Sequence, residues 1–362
     1  MGLLTNEGVA LARGHEIHKA WEIFMKILFH SNQLSLRGTE VALFDYAHYN
    51  EVILHNTSII AVKRSAQHHP LAVEKFSKRF AVFYYDTLEE LQRIADEQRV
   101  ELFYALKSGQ NDGVFLHNIK NCIHVVFRHY EPHGDVYAYV SKWLSQDMSG
   151  GKSPYVPHIV DLPKVDGDLR QELNIPEDAV VFGRYGGLET FDINFVKRLI
   201  YSIALEHKNI YFLFMNTDDF LLKKSFYHMK WLNKTIGTWR FSENSLANMI
   251  FLEGAADLNY KTKFIRTSDA MLHARLQGES FGITCGEFSI FNKPIITCNA
   301  SFIREKSHID ILRDKGIYYS NSSQLKDILL NFKKQPLQNV DAYSDQFNPR
   351  AVMEKFKAVF ID

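Results

Sequence analysis

The chain has 362 residues, which at roughly 150 residues per domain predicts about two domains, each large enough to bury its own core. Lysine plus arginine number 42 and aspartate plus glutamate also 42, so the basic excess usual in nucleic-acid binders is missing. Three cysteines, Cys122, Cys285 and Cys298, are too few for a disulfide framework or a four-cysteine zinc site, which points to a reducing compartment.

Residues 1–24 carry charges at Glu7, Arg13, Glu16, Lys19 and Glu22, so they lack the unbroken apolar stretch of a secretory signal. They are read as an N-terminal extension, either an added helix or a leader before an older start at Met25. From there short apolar runs alternate with longer amphipathic segments, the pattern of buried parallel strands joined by crossover helices. Strands are expected at 26–30, 51–55, 81–84, 101–105, 123–127 and 136–140 in the first half. Gly150, Gly151, Pro154 and Pro157 then punctuate a linker, with a hinge at 155–168. The second half predicts strands at 180–183, 210–215, 248–252, 270–272 and 294–297. After Pro349, residues Val352, Phe356 and Phe360 recur every four positions, which predicts a terminal helix with an apolar stripe to bury. No apolar run approaches the roughly 20 residues of a membrane helix. The expected protein is α/β: two doubly wound, Rossmann-like parallel-sheet domains, 25–160 and 161–345, facing a central cleft, with the helix 346–362 crossing back to the first. In such sheets a ligand sits at the carboxyl ends of the strands.

The most informative segment runs Gly278-Glu279-Ser280-Phe281-Gly282-Ile283-Thr284-Cys285-Gly286-Glu287, followed by Asn292-Lys293-Pro294-Ile295-Ile296. A strand ending near Leu276 leads through a glycine turn into a helix, so the amides of Phe281, Gly282, Ile283 and Thr284 stand free to hold a phosphate. Glu279 precedes that terminus and Glu287 follows two turns later, which lets one carboxylate face a sugar and the other a ribose diol, since carboxylates accept from vicinal hydroxyls. By spacing alone the pair equally suits a helix-dipole partner and a solvated helix face.

Here the chain resembles the retaining GT-B glycosyltransferases of glycosyltransferase family four, whose donor domain carries a Glu-x7-Glu motif followed by a Gly-x-Pro strand. Further motifs follow in family order. Arg37-Gly38-Thr39-Glu40 looks like the loop after the first strand, Phe127-Arg128-His129 like the strand ending in histidine, and Tyr139-Val140-Ser141 like the next strand. Val156-Pro157-His158-Ile159-Val160-Asp161 looks like the hinge, and Val181-Phe182-Gly183-Arg184 like the strand opening the donor domain. The resemblance implies a GT-B fold. It also implies that Arg184 and the helix start at Phe281, Gly282 and Ile283 neutralise a diphosphate, that Glu287 holds the ribose and Glu279 the sugar, that Gly38 admits the diphosphate, and that His129 lies beside the sugar. Catalytic roles fall to Glu279, His129 and Arg184. No cofactor or metal is implied, because the departing phosphate oxygen takes the acceptor's proton. The partners implied are a nucleotide-diphosphate sugar, UDP- or GDP-linked, and a glycan or glycolipid acceptor, in a soluble cytoplasmic enzyme with peripheral membrane contact at most.

The chain departs from the pattern at Glu189, where a phosphate-binding lysine is usual, leaving Lys197 to reach in from the next helix. It also departs at Arg37, His158-Ile159 and Asn292, which mark a divergent branch of the kind seen in large viruses as well as bacteria. Acceptor choice is expected in loops such as 104–113 and base contacts near Leu252-Glu253-Gly254. No Gly-x-Gly-x-x-Gly or Walker loop follows a predicted strand. Asp166-Gly167-Asp168 is read as an ordinary turn or cap, and Pro132 disrupts any helical alignment of His129 with His133 for a metal. His15 and His18 are read as solvated. Two basic-aromatic groups are candidate membrane or acceptor patches or plain helix faces: Lys75, Lys78 and Arg79 around Phe76, and Lys223, Lys224, Lys230, Lys234 and Arg240 among Phe226, Tyr227, Trp231 and Trp239. Two other functions share the implied fold, a nucleotide-sugar 2-epimerase and a degenerate nucleotide- or glycan-binding module.

Overall fold

The computed structural model describes residues 24–220, 246–334 and 339–362. The first half of the chain forms β1 (Lys26–Ser31), β2 (Thr57–Lys63), β3 (Ala81–Tyr85), β4 (Leu102–Lys107), β5 (Lys120–Val125) and β6 (Val136–Tyr139), a sheet of order β3-β2-β1-β4-β5-β6. The second half forms β7 (Val180–Tyr185), β8 (Ile210–Met215), β9 (Met249–Leu252), β10 (Ala270–His273), β12 (Ile295–Cys298) and β14 (Ile317–Tyr319), a sheet of order β14-β12-β10-β7-β8-β9. Every pairing in both sheets is parallel. A two-stranded parallel ribbon, β11 (Gly278–Glu279) with β13 (Glu305–Lys306), stands apart. The order reverses between β1 and β4 in one sheet and between β7 and β10 in the other, and such switch points open crevices at the carboxyl ends of the strands. Strands β4 and β8 are buried along their whole length, as expected of central parallel strands covered on both faces.

The strand expected at 51–55 is not one. Glu51 and Val52 end helix α1 (Gly38–Val52), and Val52 is 51% exposed. The strand is β2, whose run Ser58-Ile59-Ile60-Ala61-Val62 is buried throughout; the longer continuous apolar run wins the central position. The strand placed at 123–127 is β5, which begins at Lys120 and ends at Val125. β14 and the β11–β13 ribbon are only two or three residues per strand, too short to show a pattern in the sequence. The basic-aromatic segment from Lys223 to Arg240 and the histidines His15 and His18 lie outside the described residues.

The linker is tied to both domains. Tyr46 of α1 donates to the Pro157 carbonyl at 2.8 Å and His124 Nε2 pairs with the Val156 carbonyl at 2.8 Å, while Thr262 holds the Pro163 carbonyl at 3.0 Å. Asp166-Gly167-Asp168 is irregular chain whose last residue caps the turn that follows, Asp168 accepting from the Arg170 amide at 2.9 Å. The terminal helix Pro349–Phe356, continued by a π-helical turn Lys357–Ile361, lays its stripe on the first domain. Val352, Phe356 and Phe360 are fully buried; Phe356 lies 5.1 Å from the ring of Tyr104 and 6.3 Å from that of Phe29. Lys120 Nζ and Cys122 Sγ reach the carbonyls of Ile361 and Phe360. Emptying this contact with Phe356→Ala is expected to cost about 3–5 kcal/mol, read as a lower urea midpoint; a midpoint shift worth under about 1 kcal/mol would show that the helix is not part of the core.

Candidate functional site

Both domains line a cavity of about 320 Å³ at the carboxyl ends of β1, β7, β8 and β10. Its second-domain wall begins with Gly278 at φ +79°, where a Cβ would fall 1.9 Å from the Glu305 carbonyl oxygen, so only glycine lets β11 pair with β13. Gly282, at φ +90°, is the N-cap of the helix Ile283–Ser289. That left-handed residue turns the chain so that the first helical amides, at Ile283 and Thr284, meet the cavity without intrahelical partners. The Phe281 side chain is buried, edge-on to His158 at 5.3 Å and to Phe347 at 5.1 Å, and holds the turn against the linker.

Arg184, at the end of β7, is buried beneath the cavity and donates to Thr217, Thr190 and the Gly187 carbonyl. Burial lowers its pKa to about 10, against the pull of Glu279, so it stays a cation at neutral pH. Glu279 also meets the cavity. Its Oε1 takes His273 Nε2 at 3.1 Å and its Oε2 takes Arg275 Nη1 at 2.8 Å. Burial alone would raise this carboxyl, but the Arg275 charge and the His273 hydrogen bond outweigh it and hold it at about 2. Glu287 is buried on the helix that Gly282 caps, its oxygens held by Lys261 Nζ at 2.9 Å and by the Tyr185 hydroxyl. Gly38, first residue of α1, faces this helix across the cleft; a Cβ there would stand 3.6 Å from Ile283 Cδ1.

Seven of the eight predicted site residues, Glu279, Arg184, Gly38, Phe281, Gly282, Ile283 and Glu287, line the cavity. His129 does not. β5 stops at Val125, and the chain beyond it turns into a loop in which Phe127 reaches the cleft while the His129 carbonyl accepts from the hydroxyls of Tyr137 and Tyr139. Glu189 does line the cavity, and Lys197 does not: its ammonium lies 5.4 Å from the centre of the Phe220 ring. Gly254 is in the lining, whereas Tyr104 is core of β4.

The basic residues of the helix α2 (Pro70–Arg79) do not share one face. Lys78 is paired with Glu74, Arg79 with Glu51 at 2.6 Å, and Lys75 turns into the cavity over the Phe44 ring at 4.2 Å. Lys75 makes no ion pair among the described residues, and its nearest charges are Asp45, Lys261 and Glu287, so the first domain offers the cleft a cation on the side of Glu287. Sequence reasoning missed Lys261, His273 and Arg275 as lining residues and placed Lys75 in a candidate membrane or acceptor patch; helical spacing gave Lys261 no mark, and His273 and Arg275 lie just upstream of the motif. Among the described residues no three metal-ligating side chains cluster, His129, Glu131 and His133 included, and no helix is long and apolar enough to cross a membrane. The three cysteines are free and buried.

Neither a protein-family model nor a curated protein sequence matches the chain. Solved structures do. HepE of Anabaena, solved with UDP and glucose, superposes with a TM-score of 0.68 at 15% identity, covering 92% of this chain and 98% of that one. A glycosyltransferase from Rickettsia africae gives 0.63 at 12% identity, covering 94% and 100%. A UDP-N-acetylglucosamine 2-epimerase, so described, from Listeria monocytogenes gives 0.56 at 12% identity, covering 93% and 97%. The architecture is the α/β GT-B fold, with two six-stranded parallel sheets facing one cleft.

Proposed function

We propose that this protein is a retaining glycosyltransferase that moves a hexose from a nucleotide-diphosphate sugar, UDP- or GDP-linked, to the hydroxyl of a glycan or glycolipid, without a required metal or cofactor. The observation that carries the reading is the meeting in one cleft of a free helix N-terminus, the buried cation Arg184 and two fixed carboxylates, Glu279 and Glu287. The first two suit a diphosphate; a carboxylate that keeps unused lone pairs suits sugar and ribose hydroxyls. Arg37 and Lys75 add positive charge to the cleft from the facing domain.

In this mechanism the bond from the sugar's anomeric carbon to the phosphate oxygen breaks as the bond to the acceptor oxygen forms on the same face. The acceptor's proton passes to the departing phosphate oxygen, so no protein base is needed. The chain's own work is electrostatic: Arg184 and the amides of Ile283 and Thr284 take up the charge that grows on the leaving group, and Glu279 holds the sugar.

Thermal-shift titration with UDP, GDP and their sugar conjugates tests the reading. A ligand at about 100 times its dissociation constant adds about 2.7 kcal/mol of stability, a shift of a few degrees. One nucleotide series is expected to stabilise the wild type and to lose most of its effect in Glu287→Ala; no shift with either base would end the transferase reading. The epimerase reading is kept because an epimerase shares this fold. It predicts a C2-inverted donor without acceptor, whereas the transferase predicts a glycosylated acceptor with the donor's anomeric configuration.

A further inference from the structure

Behind Glu279 lies a chain of buried polar side chains that the motif does not contain. His273 Nδ1 meets Thr297 Oγ1 at 2.8 Å, and Thr297 Oγ1 meets His308 Nε2 at 3.0 Å. His273 stands at the end of β10, Thr297 on β12 and His308 on the helix Ser307–Leu312, and all three are buried. The rings of the two histidines are 4.8 Å apart, and among the described residues His308 Nδ1 has no hydrogen-bond partner.

The direction of the chain follows from hydrogen-bond valence. A carboxylate only accepts, so the proton of His273 sits on Nε2, facing Glu279 Oε1. A neutral imidazole carries one N–H, which leaves Nδ1 a lone pair that takes the Thr297 hydroxyl proton. The Thr297 oxygen is then free to accept from His308 Nε2–H. His308 Nδ1 is left as a bare lone pair, matching its lack of a partner among the described residues. Burial pulls the His308 pKa down to about 3, so the ring stays neutral. Arg275 pairs with the other oxygen of Glu279 at 2.8 Å.

We propose that Thr297 and His308 are positioning residues: through His273 they lock the Glu279 carboxylate as a permanent acceptor whose remaining lone pairs are aimed at the hydroxyls of the donor sugar. This rests on the transferase reading of the cleft. It gives Glu279 no proton to move, in keeping with a reaction whose proton travels from acceptor to leaving phosphate. It also predicts that damage two side chains away is felt at the sugar and not at the nucleotide.

The substitution Thr297→Val removes the hydroxyl and keeps the shape; Thr297→Ser keeps the hydroxyl. Thr297→Val is expected to lower kcat/KM for sugar transfer by about 10- to 100-fold, with the UDP-induced thermal shift unchanged, and Thr297→Ser to recover most of the loss. Nitrogen-15 spectra of histidine-labelled wild type at pH 7 should show both His273 and His308 with the proton on Nε2. The proposal is overturned if the valine and serine variants transfer sugar alike, or if His273 carries its proton on Nδ1. If UDP fails to bind the wild type, the transferase reading falls, while the spectra still decide the hydrogen-bond chain.

Discussion

Glu279→Gln is expected to lower kcat for sugar transfer by about 10²- to 10³-fold and to leave nucleotide binding intact. The two oxygens of Glu279 face two donors, His273 Nε2 and Arg275 Nη1. An amide cannot satisfy both, because its nitrogen is itself a donor and must point at one of them. The glutamine therefore rotates away from the sugar or displaces Arg275, and the negative charge that would offset positive charge growing on the sugar ring is gone. The diphosphate groups, Arg184 and the helix amides, are untouched. Steady-state kinetics with saturating donor, beside a UDP thermal shift, separate the two effects. A variant that keeps kcat within about threefold of wild type would remove Glu279 from the mechanism, and one that loses the UDP shift would make its role structural.

The second large effect is on stability in mild acid. Burial lowers His30 to about 4, His124 and His308 to about 3, and His158 well below the ordinary histidine value of 6.5. His124 shows why: Tyr104 lies 2.6 Å from Nδ1 and the Val156 carbonyl 2.8 Å from Nε2, a set that one proton satisfies. Below pH 6.5 the unfolded chain takes up protons at these four histidines and the folded chain does not, so stability falls as pH falls. By pH 5 each costs about 2 kcal/mol. Asp45 acts in the opposite sense. Burial raises its carboxyl to about 7, so the folded state binds a proton that the unfolded state has lost, and acid recovers about as much as one histidine costs. Glu279, held at about 2, contributes nothing to this window, since its stabilising charge is lost only as pH falls from about 4.5 toward 2. The net loss by pH 5 is a large part of the roughly 5–15 kcal/mol of a typical fold. Urea unfolding between pH 7 and 5 should show the unfolded state binding about two to three more protons near pH 5.5; a flat dependence would mean that these histidines are hydrated or already charged in the fold.

What was legible in the sequence was local or repetitive. Continuous runs such as Ile210–Met215, alternating with amphipathic segments, mark buried parallel strands because both faces of such a strand must be apolar. The stripe Val352, Phe356 and Phe360 marks a packed helix for the same reason. The second-domain wall of the cleft was readable because its glycine turn, its helix start and both carboxylates lie within ten consecutive residues, from Gly278 to Glu287, and local backbone geometry alone sets their relation.

Only the tertiary structure decided which charges meet. Lys261 reaches Glu287 from another helix, Lys75 reaches the cleft from the other domain, and His308 reaches Glu279 through Thr297 and His273, on three separate elements. No spacing in the chain encodes these pairings, because each depends on which side chains two packed elements present to a shared buried space. For the same reason His129 followed the motif in sequence and left it in space: where β5 ended, not the residue type, set the direction of its loop. Periodicity tells an apolar face from a polar one; a lysine or histidine on the boundary gains its partner from packing, since a buried charge or imidazole must find one wherever the fold supplies it.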